Sequence, residues 1–322
     1  VFPALAIADE LSARGWGIGF VGTREGMEAR LARQRGLRFF DLAALPVVGR
    51  GLVARLRALV LLLRSSLQAR GLVRRLRPSV VVGTGGFVSV PAALGGWLAR
   101  RPLVLVEPNA SAGAANRQLS RFARAAAVAF EETAAQLRCP SWHTGVPVRR
   151  AFFEQPAPTV PRDVLKILVL GGSQGARRLN EALPSVVEEV RAGLSTDLRL
   201  ALLHQTGESH LESTREAYRE RLGEQESLTE RGIELRLQPF VDDVAAELGA
   251  SHLVISRAGA ITVSEICAAG RASILVPLTL AGAHQSDNAR ALERVNACRV
   301  VDDAAVGDEL AAQLLALVSS PD

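Results

Sequence analysis

A chain of 322 residues, 48% hydrophobic and 22% charged, is long enough for two globular domains and too apolar for a disordered protein. Its three cysteines, Cys139, Cys267 and Cys298, are far apart and form no C-x-x-C pair, which argues against a disulfide framework or a structural zinc site and for a reducing compartment. The net charge of +5 is unevenly divided: residues 1–150 carry 22 Arg against 8 acids, net +14, and residues 151–322 carry 16 Lys and Arg against 25 acids, net −9, so the halves face different partners.

The chain opens at Val1 without a methionine, directly on an amphipathic stretch, and reads as a fragment whose true beginning lies upstream. Apolar runs in "GIGFVG", "SVVVG" (79–83), "PLVLVE" (102–107) and "AAAVAF" (125–130) alternate with helical stretches, the pattern of a parallel α/β sheet. Between the first two, residues 50–77 hold eight Arg and no acid, with Leu and Val at spacings compatible with an amphipathic helix. Such a helix suits either an anionic membrane surface or a core with its Arg face in water. Its longest aliphatic run, "ALVLLL" at 58–63, is far short of the roughly 20 residues that cross a bilayer.

In "VVGTGGFVSVPAA" (81–93) a strand, a loop with Gly83, Gly85 and Gly86, and a helix form a candidate anion nest. Glu107 and Asn109 follow the next strand in "VEPNASAGAANRQL" (106–119), where Asn109 suits a ligand contact or an Asx turn. Val146 to Val164, with four prolines and no clear period, reads as a linker and divides the chain into domains 1–150 and 151–322.

Strands are expected in the second half at "LKILVLGG", "LRLALLHQ", "IELRLQPF", "SHLVISR", "ASILVPL" and "ACRVVDD". The first runs into "LVLGGSQGARRLN" (168–180), which is neither G-x-x-x-x-G-K-[ST] nor G-x-G-x-x-G. Gly171, Gly172 and Gly175 allow a tight turn presenting N–H groups, Ser173 and Gln174 add side-chain donors, and the next helix points its positive end at the loop. This suits a phosphate, or a structural turn with Ser173 as N-cap.

In "ISRAGAITVSEICAAG" (255–270) a helix begins around Ala260 to Thr262. Arg257 beside its free N–H groups suits a diphosphate. Thr262 and Glu265 match a T-x-x-E capping box, and Glu265 is also placed to accept two hydrogen bonds from a ribose diol. His284, Gln285 and Asn288 in "LAGAHQSDNARAL" (280–292) suit sugar hydroxyls or an exposed surface. Asp242–Asp243 and Asp302–Asp303 are the paired acids; the first pair precedes "VAAELGA" and reads as an N-cap, and no metal cluster is expected.

The stretches "VFPALAIADEL" (1–11), "VVGTGGFVSVPAA", "GVPVR" (145–149), "LVLGGSQGARRLN", "QPFVDDVAA" (238–246), "SRAGAITVSEICAAG" (256–270) and "HQSDNA" (284–289) together resemble the MurG family. Its members are the membrane-associated UDP-N-acetylglucosamine transferases of peptidoglycan synthesis, and the resemblance spans nearly the whole chain. It implies an α/β fold of two Rossmann-like domains facing across a cleft, the GT-B arrangement. It also implies inverting transfer of GlcNAc from UDP-GlcNAc to lipid I, the undecaprenyl-diphosphate muramyl-pentapeptide, giving lipid II without a cofactor. The implied partners are UDP-GlcNAc, lipid I and an anionic membrane surface, with no nucleic acid, at the cytoplasmic face of the bacterial inner membrane.

By the same resemblance the donor site takes Arg149, Ser173, Gln174 and Gly175 at the diphosphate, with Arg257, Ala260 and Thr262 close by. Val241 and Ile261 would flank uracil, Glu265 would hold the ribose, and Gln285 and Asn109 would touch the GlcNAc hydroxyls. Gly85, Gly86 and Phe87 would serve the acceptor. The family's "GGTGGH", whose His is the expected base, precedes the V-F-P found at positions 1–3, so that base is placed upstream of Val1. Pro108 replaces a usual glutamine, and the end at Asp322 falls short of the family's closing helices. Another UDP-sugar transferase, a UDP-GlcNAc epimerase, or a non-catalytic nucleotide-sugar module are the alternative readings.

Overall fold

A computed structural model describes residues 1–44, 52–157, 160–161, 163–172, 174–278 and 284–319, with the side chains of 52–56 left aside. The chain divides into two units, Val1–Val148 and Arg149–Asp322.

The first unit runs α1 (Phe2–Ala13), β1 (Gly19–Gly22), α2 (Met27–Gln34), β2 (Arg38–Asp41), α3 (Leu52–Leu76), β3 (Val81–Gly83), α4 (Ser89–Leu98), β4 (Leu103–Glu107), α5 (Ala114–Leu119), β5 (Ala125–Val128) and β6 (Ser141–His143). β1 pairs with β2, and β3–β4–β5–β6 form a second sheet in that order, every pairing parallel. A cavity of about 710 Å³ separates β1 from β3, lined by Phe20, Val21, Val81 and Val82 with Gly85, Gly86 and Phe87 at one side. Helices α3 and α4 touch through small residues: a Cβ on Gly95 would overlap Ala69.

Only one face of α3 is used in this packing. Ala58, Ser65, Ser66, Ala69 and Val73 are buried, while Leu59, Val60, Leu63 and Leu67 stand in solvent, Leu63 66% and Leu67 61% exposed. Leu59, Val60, Leu63 and Leu67 of this Arg-rich helix are therefore not accounted for by the core. Among the described residues no helix is long and apolar enough to cross a membrane.

The second unit runs β7 (Val164–Leu170), α6 (Arg177–Gly193), β8 (Arg199–Gln205), α7 (Leu211–Leu222), α8 (Gln225–Glu230), β9 (Ile233–Gln238), α9 (Val244–Ala250), β10 (Leu253–Ser256), α10 (Ala260–Ala268), β11 (Ala272–Leu275), α11 (His284–Glu293), β12 (Arg299–Val300) and α12 (Val306–Ser319). Its strands lie in the order β12–β11–β10–β7–β8–β9, all parallel, which is the doubly wound arrangement. The central strands are near-continuous apolar runs because helices cover both faces. Leu165, Ile167 and Val169 of β7 meet Leu179, Leu183 and Val186 of α6 in one buried cluster.

The proline-rich stretch after Val146 is partly core. Arg150–Phe152 form a 3-10 turn, and Phe152 is fully buried.

Candidate functional site

In the second unit Leu170 of β7 lies opposite Ser256 of β10. The loops leaving these two strands are therefore neighbours at the point where the strand order reverses, where doubly wound sheets take ligands. In the loop after β7, Gly172 and Gly175 have φ of 80° and 78°, and a Cβ on Gly175 would overlap the Thr206 carbonyl. The turn is closed by Gly175 N–H donating to Gly172 O at 3.0 Å, so that amide is used within the loop rather than offered to a ligand. Gln205 Nε2 donates to the same Gly172 oxygen at 2.8 Å. Gln174 is exposed; Ser173 lies outside the described residues.

The following helix, α6, is capped by Ala176, which has no side-chain acceptor. Its first intrahelical bond runs from Asn180 N to Ala176 O at 2.9 Å. The amides of Arg177, Arg178 and Leu179 thus precede the ladder and carry the positive end of the helix dipole.

The loop after β10 ends in a second such helix start. α10 begins at Ala260 with Gly259 as N-cap, at φ −65° and ψ 133°, and no side chain caps it. This φ suits any residue, so the position does not require a glycine. Because the helix starts at Ala260, Thr262 already lies in its first turn and the T-x-x-E box does not form. Val263 N bonds to Gly259 O at 3.0 Å, leaving the amides of Ala260, Ile261 and Thr262 ahead of the ladder.

Glu265 lies one turn further and is half-buried. Burial pushes its carboxyl up to about 7, while Arg149 pulls it the other way. Arg149 itself is exposed, with its guanidinium 4.9 Å from the ring centroid of Phe152. A carboxylate and an arginine thus share the surroundings of a helix start rich in N–H groups, a donor set for a diphosphate next to a diol. Val241, between β9 and α9, is buried.

Arg257 departs from expectation. Its side chain, 13% exposed, pairs with Asp303, itself 7% exposed, and donates to Val276 O at 3.1 Å. Asp303 also receives Arg178 from α6 at 3.4 Å. These contacts tie the ends of β10 and β11 to the start of α6, so Arg257 braces the loops rather than reaching for a phosphate. Asp303 serves that brace rather than an ion site. Asn288 is likewise structural: it is fully buried and donates to Ala258 O at 3.1 Å. Gln285 accepts from Leu278 N at 2.9 Å, which orients it over the end of β11. Asp243 caps α9 as its sequence context implied, accepting from Ala246 N at 3.1 Å.

In the first unit, Gly85 and Gly86 take φ of 81° and 75°, with Phe87 exposed beside them. A Cβ on Gly85 would stand 3.2 Å from Asn116 Nδ2, so this loop rests on the start of α5, which follows the loop after β4. That second loop is organised by Glu107, fully buried at the end of β4. Its Oε1 accepts from Asn109 N at 3.1 Å and Asn109 Nδ2 at 2.9 Å, and its Oε2 from Gly113 N and Asn116 Nδ2 at 2.9 Å each. Asn109 donates to Glu107 through both its backbone N–H and its Nδ2, rather than accepting as in an Asx turn, and this fixes where its side-chain oxygen points. Asn116 escaped the reading of the sequence, although an acid closing an apolar strand, as in "LVLVE", is a sign that nearby amides need an acceptor.

Comparison with known proteins bears on both units. Residues 1–128 match the glycosyltransferase family 28 N-terminal domain and residues 166–322 its C-terminal domain. The chain is 40% identical over 306 residues to a protein of Acidithiobacillus ferrooxidans named UDP-N-acetylglucosamine–N-acetylmuramyl-(pentapeptide) pyrophosphoryl-undecaprenol N-acetylglucosamine transferase, covering 94% of this chain and 80% of that one. A protein of the same name from Ectopseudomonas mendocina is 43% identical, over 98% and 85%. Among solved structures, Acinetobacter baumannii MurG superposes with a TM-score of 0.75 at 30% identity, covering 99% of this chain and 87% of that one. A UDP-GlcNAc 2-epimerase of Neisseria meningitidis, at 10% identity and a TM-score of 0.60, shares the fold alone. With this fold, both domain matches and relatives of such identity along nearly its whole length, the chain belongs to the MurG family of family 28 glycosyltransferases.

Proposed function

We infer that this protein transfers N-acetylglucosamine from UDP-GlcNAc to the 4-hydroxyl of the muramyl sugar of undecaprenyl-diphosphate-linked MurNAc-pentapeptide, with inversion at the anomeric carbon. The observation that carries this reading is the meeting of two helix starts at the switch point, with Arg149 and Glu265 beside the second. Membership of a family whose relatives bear the name of that transferase supplies the acceptor.

In the transfer, the muramyl 4-hydroxyl gives its proton to a general base as its oxygen attacks the anomeric carbon, and the bond from that carbon to the UDP oxygen breaks. The electron pair leaves on the diphosphate, whose added charge must be met by groups already in place. The amides at the starts of α6 and α10 and the Arg149 guanidinium are such groups; one preorganised donor of this kind is worth about 3–4 kcal/mol. Glu265 holds the ribose hydroxyls and fixes the nucleoside while the sugar departs. The test is release of UDP from UDP-GlcNAc. Release is expected only with the lipid-linked muramyl acceptor present, together with a β-linked disaccharide product. Acceptor-independent UDP release, or a 2-epimerised sugar, would overturn the assignment.

The basic first unit is assigned the acceptor, with Gly85, Gly86 and Phe87 at its diphosphate, and an anionic membrane at the cytoplasmic face of the inner membrane. Leu59, Val60, Leu63 and Leu67 on the outer face of α3, with Arg57 and Arg64 among them, form the apolar and cationic stripe that such a surface takes. Each basic residue near the lipid contributes about 1 kcal/mol. Sedimentation with phosphatidylglycerol-containing vesicles should show binding that salt weakens, and Leu63→Ser with Leu67→Ser should lower it at least tenfold. Equal binding by that double variant would remove α3 from the membrane face.

A further inference from the structure

Beneath the loop that follows β7 lies a buried polar chain that the transfer reaction itself does not call for. His204 is fully buried on β8, as are Asn180 on α6, Tyr218 on α7 and Thr206 just past β8. His204 Nε2 is 3.0 Å from Asn180 Oδ1, and His204 Nδ1 is 3.3 Å from the Tyr218 hydroxyl. Asn180 Nδ2 donates to Thr206 O at 2.9 Å.

These distances admit one proton arrangement. A carbonyl can only accept, so the Asn180 amide must turn its NH₂ toward Thr206 and its oxygen toward His204. The facing His204 Nε2 then carries the proton, and Nδ1 accepts from the Tyr218 O–H. Burial lowers the His204 pKa to about 3, so the ring stays neutral and the arrangement holds across the physiological range.

The far end of the chain is the floor of the glycine loop. The Thr206 carbonyl that Asn180 grips is the group a Cβ on Gly175 would overlap. A Cβ on Gly207 would come within 2.6 Å of Gly175 N and 2.8 Å of Gln174 O. Gln205, between His204 and Thr206, donates to Gly172 O. Three successive residues of β8 and its exit thus bear on the loop, two by contact and one through Asn180. We propose that His204 is a positioning residue of the donor site, which through Asn180 and Thr206 sets the height of Gly172, Gln174 and Gly175 under the diphosphate.

An apolar side chain at 204 would leave Asn180 Oδ1 buried without a donor and free the amide to rotate, releasing its hold on Thr206. Glutamine is the conservative replacement, because its NH₂ can donate to Asn180 and its oxygen can accept from Tyr218.

The inference rests on the donor-site reading above, and uridine and UDP together test it. Uridine lacks the diphosphate, so its affinity reports the nucleoside pocket, and the ratio of UDP to uridine affinity reports the loop. His204→Leu and Asn180→Asp are each expected to lower that ratio tenfold or more, with uridine binding, followed by ligand-observed NMR, changed less than twofold. His204→Gln should restore the ratio to within about threefold of the parent. An unchanged ratio in a folded His204→Leu or Asn180→Asp protein would overturn the proposal; should His204→Leu not fold, Asn180→Asp and His204→Gln still decide it. If the parent protein bound no UDP at all, the donor-site reading would fail first, and with it the premise of this one.

Discussion

Glu265→Gln is expected to stabilise the free protein at pH 8 while weakening UDP-GlcNAc binding by about tenfold or more. Both effects come from the same cause. Burial raises the Glu265 carboxyl from 4.5 to about 7, so ionising it in the folded protein costs free energy that the unfolded chain does not incur. Below pH 4.5 both states hold the proton and no cost arises. Between about 4.5 and 7 the unfolded chain releases its proton and the folded one keeps it, so stability falls as pH rises. Above 7 the loss is complete. At about 1.4 kcal/mol per pH unit the upper bound is near 3 kcal/mol; the solvent that still reaches this half-buried side chain lowers it to about 1–2 kcal/mol.

A neutral glutamine escapes that cost, so its melting temperature should exceed the parent's at pH 8 by a few degrees and match it near pH 4.5. In the proposed complex the balance reverses. An ionised carboxylate accepting from two ribose hydroxyls gains hydrogen bonds to a charged group, each worth about 1.5–3 kcal/mol, and glutamine offers a single neutral acceptor. UDP-GlcNAc has no phosphate group that titrates near neutrality, so its affinity should rise with pH through about 7 in the parent and stay flat in Glu265→Gln. Calorimetry across pH 6 to 8 checks this; a flat parent profile with unchanged affinity in the variant would remove Glu265 from the ribose.

Signals of continuous burial were the ones legible in the residue order. Runs such as "LKILVL" and "SHLVIS" are strands because helices cover both of their faces, which leaves short apolar stretches rather than a strict alternation. β2 and β6 escaped because "RFFD" and "SWH" are short, carry polar or charged residues and lie half-exposed, so no buried period marks them. Glycine-rich turns at 171–175 and 83–86 were legible too, since positive φ has few other solutions.

Partnerships over distance were not. The T-x-x-E spacing at 262–265 is local and matches a capping box, yet the helix begins two residues earlier, where Gly259 turns out of β10. Arg257 reads as a free cation in a glycine turn because its partner, Asp303, stands on another loop. Nothing local in "HQTG" marks His204 as the neighbour of Asn180, since that contact exists only once β8 has packed under α6. The approach of Arg149 to Glu265 depends on Phe152 being core rather than linker, which four nearby prolines conceal.

The Arg257–Asp303 pair is where the structural and ligand-binding accounts of one residue separate most sharply, and stability measures the difference. Removing one member of a buried ion pair strands the other and costs about 3–5 kcal/mol. Asp303→Leu should reach that range, since among the described residues it leaves the Arg257 side chain with the Val276 carbonyl alone and also releases Arg178. Arg257→Met should cost less, about 2–3 kcal/mol, because Arg178 remains 3.4 Å from Asp303. The double replacement should cost less than the sum of the two, because neither charge is then left unpaired. For a domain of this size, 3 kcal/mol corresponds to a fall in melting temperature of roughly 6–12 °C. Below its melting range, Arg257→Met should bind UDP within about threefold of the parent, since the amides at the starts of α6 and α10 and the Arg149 guanidinium remain. The opposite outcome, an unchanged melting temperature with UDP affinity down a hundredfold, would mean that the guanidinium leaves Asp303 when the diphosphate arrives and that the brace is only its resting position.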